Sequence, residues 1–387
     1  MERMDNIENY FDYAAATPIL AEARKSMEPY LSRQFYNPSA IYISARNNRH
    51  DLENFRHIIA KGVGAQPTEI IFTAGGSEAN NLAIKGILDK YPGSNVVTSQ
   101  IEHESVLEPC NLYNHKLIKV DDKGIIDQKS LIAAINDKTV LVSIMYANNE
   151  IGSIQPIREI SASIKEVNLE RKNRSIKLPL YFHTDACQAS NYLDMQVARL
   201  GVDLMTLNAG KTYGPKQCGA LYIRKGINIL PLILGGGQER KLRSGTENLA
   251  NIAGFASAWE TVRSDFRDES KRLGGLQDLF IKSTLKVIPA AIINGPNLTK
   301  RLPNNISLTI PSQDNERLVM QLDEYGFQVA TGSACSAESS SASHVLRAIG
   351  LSEETAKSSL RISMGRFTTP EALKKLVLSL AKSIGIN

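Results

Sequence analysis

The stretch Asn208-Ala209-Gly210-Lys211-Thr212-Tyr213-Gly214-Pro215-Lys216 follows the apolar run Val202-Asp203-Leu204-Met205-Thr206-Leu207. The run reads as a buried strand. Lys211 then stands just past the strand end, and Gly210, Gly214 and Pro215 force a compact turn around it. An amine crowded at a strand end loses solvation, and desolvation favours its neutral form. A lysine in that state can form a Schiff base with a carbonyl cofactor. The other reading is a surface lysine in a turn, and the rest of the chain decides between the two.

Upstream of this stretch, short apolar segments alternate with helical ones. Glu69–Thr73, Val96–Ser99, Val140–Met145 and Leu180–Thr184 read as strands. Helical spacing covers 46–62, with Leu52, Phe55, Ile58 and Ile59 on one face, and returns over 156–172. Thr17-Pro18 reads as a helix cap and first helical residue, with the helix reaching about Tyr30. Such alternation predicts an α/β fold, a mostly parallel sheet with helices on both faces. Polar residues gather just past the strand ends: Ser77, His103, Asn149, Asp185, Gln188 and Lys211. Open α/β sheets bind their ligands at that edge.

Downstream, a long helical stretch runs from about 248 to 287, and its charged middle predicts a solvated face crossing into a second, smaller α+β domain. A strand at 306–310 and helices near 314–325, 352–360 and 370–383 complete that domain. The predicted division is 15–260 for the large domain and 1–14 with 261–387 for the small one.

Bulk composition excludes several classes. The chain has 387 residues, 42% of them apolar, enough for a substantial core without staples. Its 45 basic and 40 acidic residues give a net charge of +5, spread along the chain, so direct nucleic-acid binding is not expected. The four cysteines have no CxxC spacing, which argues against structural zinc and a disulfide scaffold. The N-terminus lacks an apolar signal region, and no run is long enough to span a bilayer. A soluble, reducing, cytoplasmic setting is the expectation, with no membrane partner.

Three local patterns carry chemistry. Strand, Gly75-Gly76-Ser77, then helix aims backbone N–H groups at an anion, or is a plain turn. Arg361, between apolar neighbours at strand-like alternation, suits a bidentate grip on a carboxylate, or an ion pair at a domain contact. Cys335 lies among small residues, Thr331-Gly332-Ser333-Ala334-Cys335-Ser336-Ala337, which read as a mobile loop in which a thiolate is available. Cys187 and Cys218 read as small packing residues.

The joint order of these stretches resembles the NifS/IscS-type cysteine desulfurases, class V aminotransferase-like members of the fold-type I pyridoxal 5'-phosphate enzymes. The matching stretches include Phe11-Asp12-Tyr13-Ala14-Ala15, Asn37-Pro38-Ser39, Glu102-His103, Ala147-Asn148-Asn149-Glu150, His183-Thr184-Asp185-Ala186, Gly235-Gly236-Gly237-Gln238-Glu239-Arg240, Arg243-Ser244-Gly245-Thr246, Gly332-Ser333-Ala334-Cys335 and Arg361 through Phe367. The resemblance spans essentially the whole chain. It implies that Lys211 holds the cofactor and shuttles protons. It implies that Asp185 pairs the ring nitrogen, that His103 stacks on the ring, and that Gln188 and Asn149 hold the ring oxygen. Gly76, Ser77 and Asn208 would face the phosphate, with Thr246 reaching the phosphate of a partner subunit in a homodimer. Arg361, Asn149 and Asn37 would bind the substrate, L-cysteine. Cys335 would take its sulfur as a persulfide for an acceptor, such as an iron–sulfur scaffold or a tRNA-thiolation protein. The alternatives are another class V reaction, transamination or selenocysteine cleavage, and a non-catalytic scaffold that keeps the fold. The chain also departs from the pattern: Asn208-Ala209-Gly210 stands where the family usually has Ser-x-His, Ala74 and Gly76 where Ser and Ala are common, and Ser340-Ser341-Ala342 in place of Leu-Glu-Pro.

Overall fold

A computed structural model of the chain describes residues 7–332 and 342–386. The first sheet holds β1 (Ile70–Thr73), β2 (Asn95–Ser99), β3 (Asn114–Ile118), β4 (Thr139–Ser143), β5 (Tyr181–Asp185), β6 (Leu204–Asn208) and β7 (Gly219–Ile223), in the order β1-β7-β6-β5-β4-β2-β3. Pairings from β3 through β6 are parallel; β7 alone runs against its neighbours β6 and β1. The central strands are short β-branched and leucine-rich runs, buried along their length, as in Thr139-Val140-Leu141-Val142-Ser143. Such strands need cover on both faces.

That cover comes from helices. In chain order they are α1 (Ala21–Ser32), α2 (Ile43–Val63), α3 (Gly76–Leu88), α4 (Glu104–Asn111), α5 (Gln128–Ala134), α6 (Ile157–Asn173), α7 (Val197–Leu200) and α8 (Leu249–Val287). In α2 the buried Leu52, Arg56, Ile59 and Val63 recur at spacings of three and four, the stripe that packs inward. The 39-residue α8 buries Leu249 through Val262 and again Leu273 through Thr284. Between them its surface is more open, as the charged middle predicts.

A second, antiparallel sheet has β9 (Asn305–Thr309) between β8 (Ile292–Asn294) and β10 (Ser359–Ser363). Helices α9 (Asn315–Glu324) and α12 (Pro370–Ser383) pack together, while Val345 and Leu346 of α10 (His344–Ala348) and Ala356 of α11 (Glu353–Ala356) cluster with Ile101, Met145 and Ile151 beyond the first sheet. The N-terminal segment joins it through bridges Tyr10 to Gln328 and Asp12 to Ser363.

Some local expectations are corrected. Thr17 does not cap a helix: α1 begins at Ala21, with no side-chain cap. The Thr17 hydroxyl instead donates to the Gly210 carbonyl at 3.0 Å and accepts the Tyr213 N–H at 2.8 Å. Long-range partners took over a local capping signal. At the start of α3 the capping position is held by Gly75, at φ 136°, where only glycine sits without strain. The helix expected over 352–360 stops at Ala356, because Ser359 onward is needed as a strand.

One buried ion pair fastens α2 to the first sheet. Arg56 donates through both terminal nitrogens to Glu239, at 2.7 Å each. The same carboxylate accepts the Phe72 N–H of β1 at 2.7 Å. Glu239, Arg240 and Lys241 all have left-handed backbone, φ 44°, 56° and 66°, which costs each about 1 kcal/mol and is tolerated because the pair pins the loop. Glu239→Gln leaves Arg56 buried without this countercharge, so urea unfolding should show a loss of about 3 kcal/mol. An unchanged midpoint would mean that the pair does not hold the loop.

Candidate active site

The parallel strands end on one edge, and the turns beyond them converge. Lys211 follows β6 in a single turn of 3-10 helix. Its Nζ donates to the Ala14 and Ala15 carbonyls at 2.8 and 2.6 Å. The amine is thus hydrogen-bonded to the chain as well as crowded at the strand end. Asn191 accepts nothing here but donates to the Lys211 carbonyl at 2.7 Å, fixing the turn. Tyr213, two residues on, is buried at φ 59°; Thr17 holds its N–H, and its phenol oxygen accepts the Arg366 N–H at 2.9 Å.

Asp185 ends β5 and is buried. One carboxylate oxygen accepts the Cys187 N–H at 2.9 Å, the other the Asn80 amide at 2.7 Å. Behind it on the same face of β5 lies His183, bonded to Ser143 at 2.8 Å and Thr206 at 3.0 Å. Burial pushes His183 down to about 4, against the pull of Asp185. Glu102, beyond β2, is also wholly buried. Its carboxyl accepts from Ser99 at 2.5 Å and from the Met145 N–H. Burial still pushes it up to about 8; the Ser99 and Met145 hydrogen bonds oppose that, and Asp185 adds to it.

On the β1 side, α3 starts without a side-chain cap, so its first N–H groups face the cavity. A Cβ on Gly76 would stand 2.9 Å from the Cys187 sulfur and 3.3 Å from the Asn208 amide nitrogen. Glycine keeps that cradle open. The Asn208 Oδ1 accepts the Gly210 N–H at 3.0 Å, which turns the Asn208 amide N–H₂ toward Gly76. Gly210 has no backbone donor to spare: Asn208 takes its N–H, and Thr17 bonds its carbonyl.

Arg361 lies in β10, almost fully buried. Its Nη2 meets Asp12 at 2.7 Å, its Nη1 donates to the Gly332 carbonyl at 2.9 Å, and its Nε has no partner among the described residues.

A cavity of about 280 Å³ is lined by Lys211, Asp185, Gln188, Asn149 and His103. Gly76, Ser77, Asn208 and Arg361 face the same space. Thr246 is not there; it is exposed and lines a separate cavity with Glu239 and Arg243. Asn37 is exposed too, and its Oδ1 accepts the Ser39 N–H. Cys335 lies outside the described residues. Sequence reasoning missed Asn80, Ser105, Glu102 and Asp12. A polar residue on the buried face of α3, among Ala79, Ala83, Ile84 and Ile87, was the available signal for Asn80. Among the described residues no cluster could hold a metal ion, and no helix is long and apolar enough to cross a membrane.

Comparison with known proteins follows the same lines. Residues 9–376 match the model of the family Aminotransferase class-V. The chain belongs to that family. It is 44% identical to the cysteine desulfurase IscS of Dictyoglomus turgidum, over 95% of this chain and 92% of that protein. The IscS of Methanosarcina thermophila is 40% identical, over 95% and 90%. A solved NifS-like protein superposes with a TM-score of 0.89 at 29% identity, covering 98% of this chain and all of that one. A structure described as SspA in complex with cysteine gives 0.79 at 34% identity, covering 93% and 100%. The α/β architecture, a mostly parallel sheet between helices, is that of these fold-type I enzymes.

The donor set fits the cofactor class this family implies. A lysine, a buried carboxylate with two fixed donors, and an open glycine cradle at a helix start surround one space.

The titrations at this edge set a pH dependence. Glu102 keeps a proton in the folded protein above its ordinary value of 4.5, up to about 8, where the unfolded chain has lost it. Its contribution to stability is complete below about 4.5 and is lost as pH rises toward 8, by at most about 1.4 kcal/mol per pH unit. His183 works the other way. It stays neutral when folded, so its contribution is present above its ordinary 6.5 and is lost as pH falls toward 4. The slopes oppose between 4.5 and 6.5, and of this pair only Glu102 acts from 6.5 to 8. Unfolding free energies measured by urea from pH 6.5 to 8 should therefore decline more steeply for the wild type than for Glu102→Gln. Parallel profiles would refute the buried proton.

Proposed function

We propose that this chain is a pyridoxal 5'-phosphate-dependent cysteine desulfurase, converting L-cysteine to L-alanine and a persulfide on Cys335. The observation that carries this reading is the meeting of Lys211, Asp185, His103 and Arg361 around one cavity, in a family whose near relatives bear that name. When bound, the cofactor supplies an electron sink for the substrate's Cα and Cβ.

The chain's own residues do the rest. Lys211 would hold the cofactor and move a proton at Cα. Asp185, fixed by Asn80 and the Cys187 N–H, would face the ring nitrogen. The α3 start, Gly76, Ser77 and Asn208 would hold the phosphate. Arg361, already aimed into the cavity, would take the substrate carboxylate with Asn149 beside it. In the net reaction the Cβ–S bond of cysteine breaks and an S–S bond to Cys335 forms. The proton given up by the Cys335 thiol ends on Cβ, which becomes the alanine methyl. Cβ is reduced as the two sulfurs are oxidised to the persulfide level, so no outside oxidant is required.

Residues 15–260 would form the cofactor-binding domain, and 1–14 with 261–387 the smaller one. A homodimer fits the exposed Phe35, Ile41 and Leu234, which are 69%, 89% and 81% accessible in the single chain. It would also give Thr246 its place on the partner's phosphate, and Asn37 its substrate role in a neighbouring subunit's site. The persulfide would pass in the cytoplasm to an acceptor protein of iron–sulfur cluster assembly or tRNA thiolation.

Two experiments test the reading. Wild type and Cys335→Ala, given L-cysteine and a reductant, should both show visible cofactor absorption, with alanine and sulfide formed only by the wild type. Turnover indifferent to Cys335 would point to another class V reaction, and absent cofactor absorption to a non-catalytic scaffold. Arg361→Lys loses a bidentate grip, so KM for cysteine should rise about 10- to 100-fold. An unchanged KM would take the carboxylate away from Arg361.

A further inference from the structure

Asn80 lies on α3, one turn past Gly76, and is completely buried. Its amide nitrogen has two hydrogens and two acceptors: Asp185 Oδ2 at 2.7 Å and Ser105 Oγ at 2.9 Å. The orientation is fixed by charge. The flipped amide would set its oxygen against the Asp185 carboxylate, acceptor against acceptor. Ser105 Oγ, having accepted from Asn80, has its own hydrogen to give. Its neighbour is His103 Nδ1 at 2.9 Å. The same Nδ1 accepts the Ser105 backbone N–H at 3.1 Å, as the cap of α4. Two donors thus converge on Nδ1, so the neutral ring carries its proton on Nε2.

We propose that Asn80 is a positioning residue that locks Asp185 and His103 into a single hydrogen-bonded unit, with Ser105 as the intermediate. The direction of donation is set at Asn80: one hydrogen orients the carboxylate, and the other sends the Ser105 proton toward His103. The arrangement has a cost that packing alone would not accept. The Asn80 Oδ1 is buried with no hydrogen-bond partner among the described residues, a loss worth about 1–3 kcal/mol. An apolar residue on this otherwise apolar helix face would avoid it. The role in turnover rests on the desulfurase reading; the tautomer of His103 does not.

The test uses histidine labelled with ¹⁵N in the full-length protein, which has only six histidines, with His103→Gln to identify the signals. Solid-state ¹⁵N spectra should show wild-type His103 protonated on Nε2, with Nδ1 unprotonated and hydrogen-bonded. Asn80→Asp keeps the shape but reverses the donation, because the introduced carboxylate draws the Ser105 hydroxyl proton to itself. The Nδ1 signal should then move, and Ser105→Ala, which removes the hydroxyl, should move it in the same sense. In both variants kcat should fall, by about 100-fold for Asn80→Asp, with KM for cysteine changed less than about threefold. In Asn80→Asp the visible band of the bound cofactor should also shift, because the Asp185 carboxylate gains a like-charged neighbour. His103 signals and cofactor band identical to wild type in both variants would overturn the proposal. So would a wild-type ring protonated on Nδ1. A wild type without cofactor absorption would end the desulfurase reading instead, while the His103 signals, which need no cofactor, would still decide the role of Asn80.

Discussion

Residues 10–17 set the distance between the two halves of the site. Tyr10 and Asp12 pair with Gln328 and Ser363 of the second half. Asp12 then grips Arg361, and only two residues later the Ala14 carbonyl accepts from both Lys211 and Gln188. Thr17 closes the segment onto Gly210 and Tyr213. Two residues of extended chain span about 7 Å. The lysine at the end of β6 and the arginine in β10 come from different sheets, yet one short strap holds both. A shift of either half would have to break buried hydrogen bonds, each costly to leave unmade.

Burial does the electrostatic sorting at this edge. Asp185 and Glu102 are both buried carboxyl groups near strand ends, and each receives hydrogen bonds. Asp185 is met by two donors on separate oxygens and lines the cavity. Glu102 sits deeper, with its bonds crowded toward Ser99 and one amide, and desolvation dominates. Its backbone carbonyl accepts from His344 at the start of α10. Both line the cavity, and they differ in how closely each is enclosed and hydrogen-bonded. His183, between Ser143 and Thr206, is pushed by burial toward its neutral form and so adds no charge to the same region.

The parts of the fold that were legible are those where one physical rule acts alone. Buried parallel strands are apolar runs, so β2, β4, β5 and β6 stand out. The edge strand β3 does not: Asn114-His115-Lys116-Leu117 is exposed, and solvent permits polar side chains there. Capping signals hold where the partner is local, as Ser352 on the Thr355 N–H and Thr369 on the Ala372 N–H show. They misled at Thr17, whose partners lie nearly two hundred positions away. The same divide runs through the site. Lys211, His103, Asn149 and Asp185 were legible because the carboxyl edge of a parallel sheet gathers whatever follows its strands. Asn80 was not, because its place is mid-helix and its partners follow two other strands. Asn37 and Thr246 have no place in this chain's main cavity.

The hold on Arg361 explains how a guanidinium can be buried at the cavity wall. An uncompensated charge at that depth would be strongly destabilising. Asp12 supplies a countercharge and the Gly332 carbonyl a second acceptor, while Nε remains unmatched. On the desulfurase reading, an arriving carboxylate therefore does not create an ion pair from solvated parts. It meets an arginine already desolvated and already oriented, with N–H donors still to give. The cost of burying the cation was met during folding, so the substrate's own binding energy is left for orientation at Cα. The same contact ties recognition to the chain that leads to Cys335, since Gly332 is the last described residue before it.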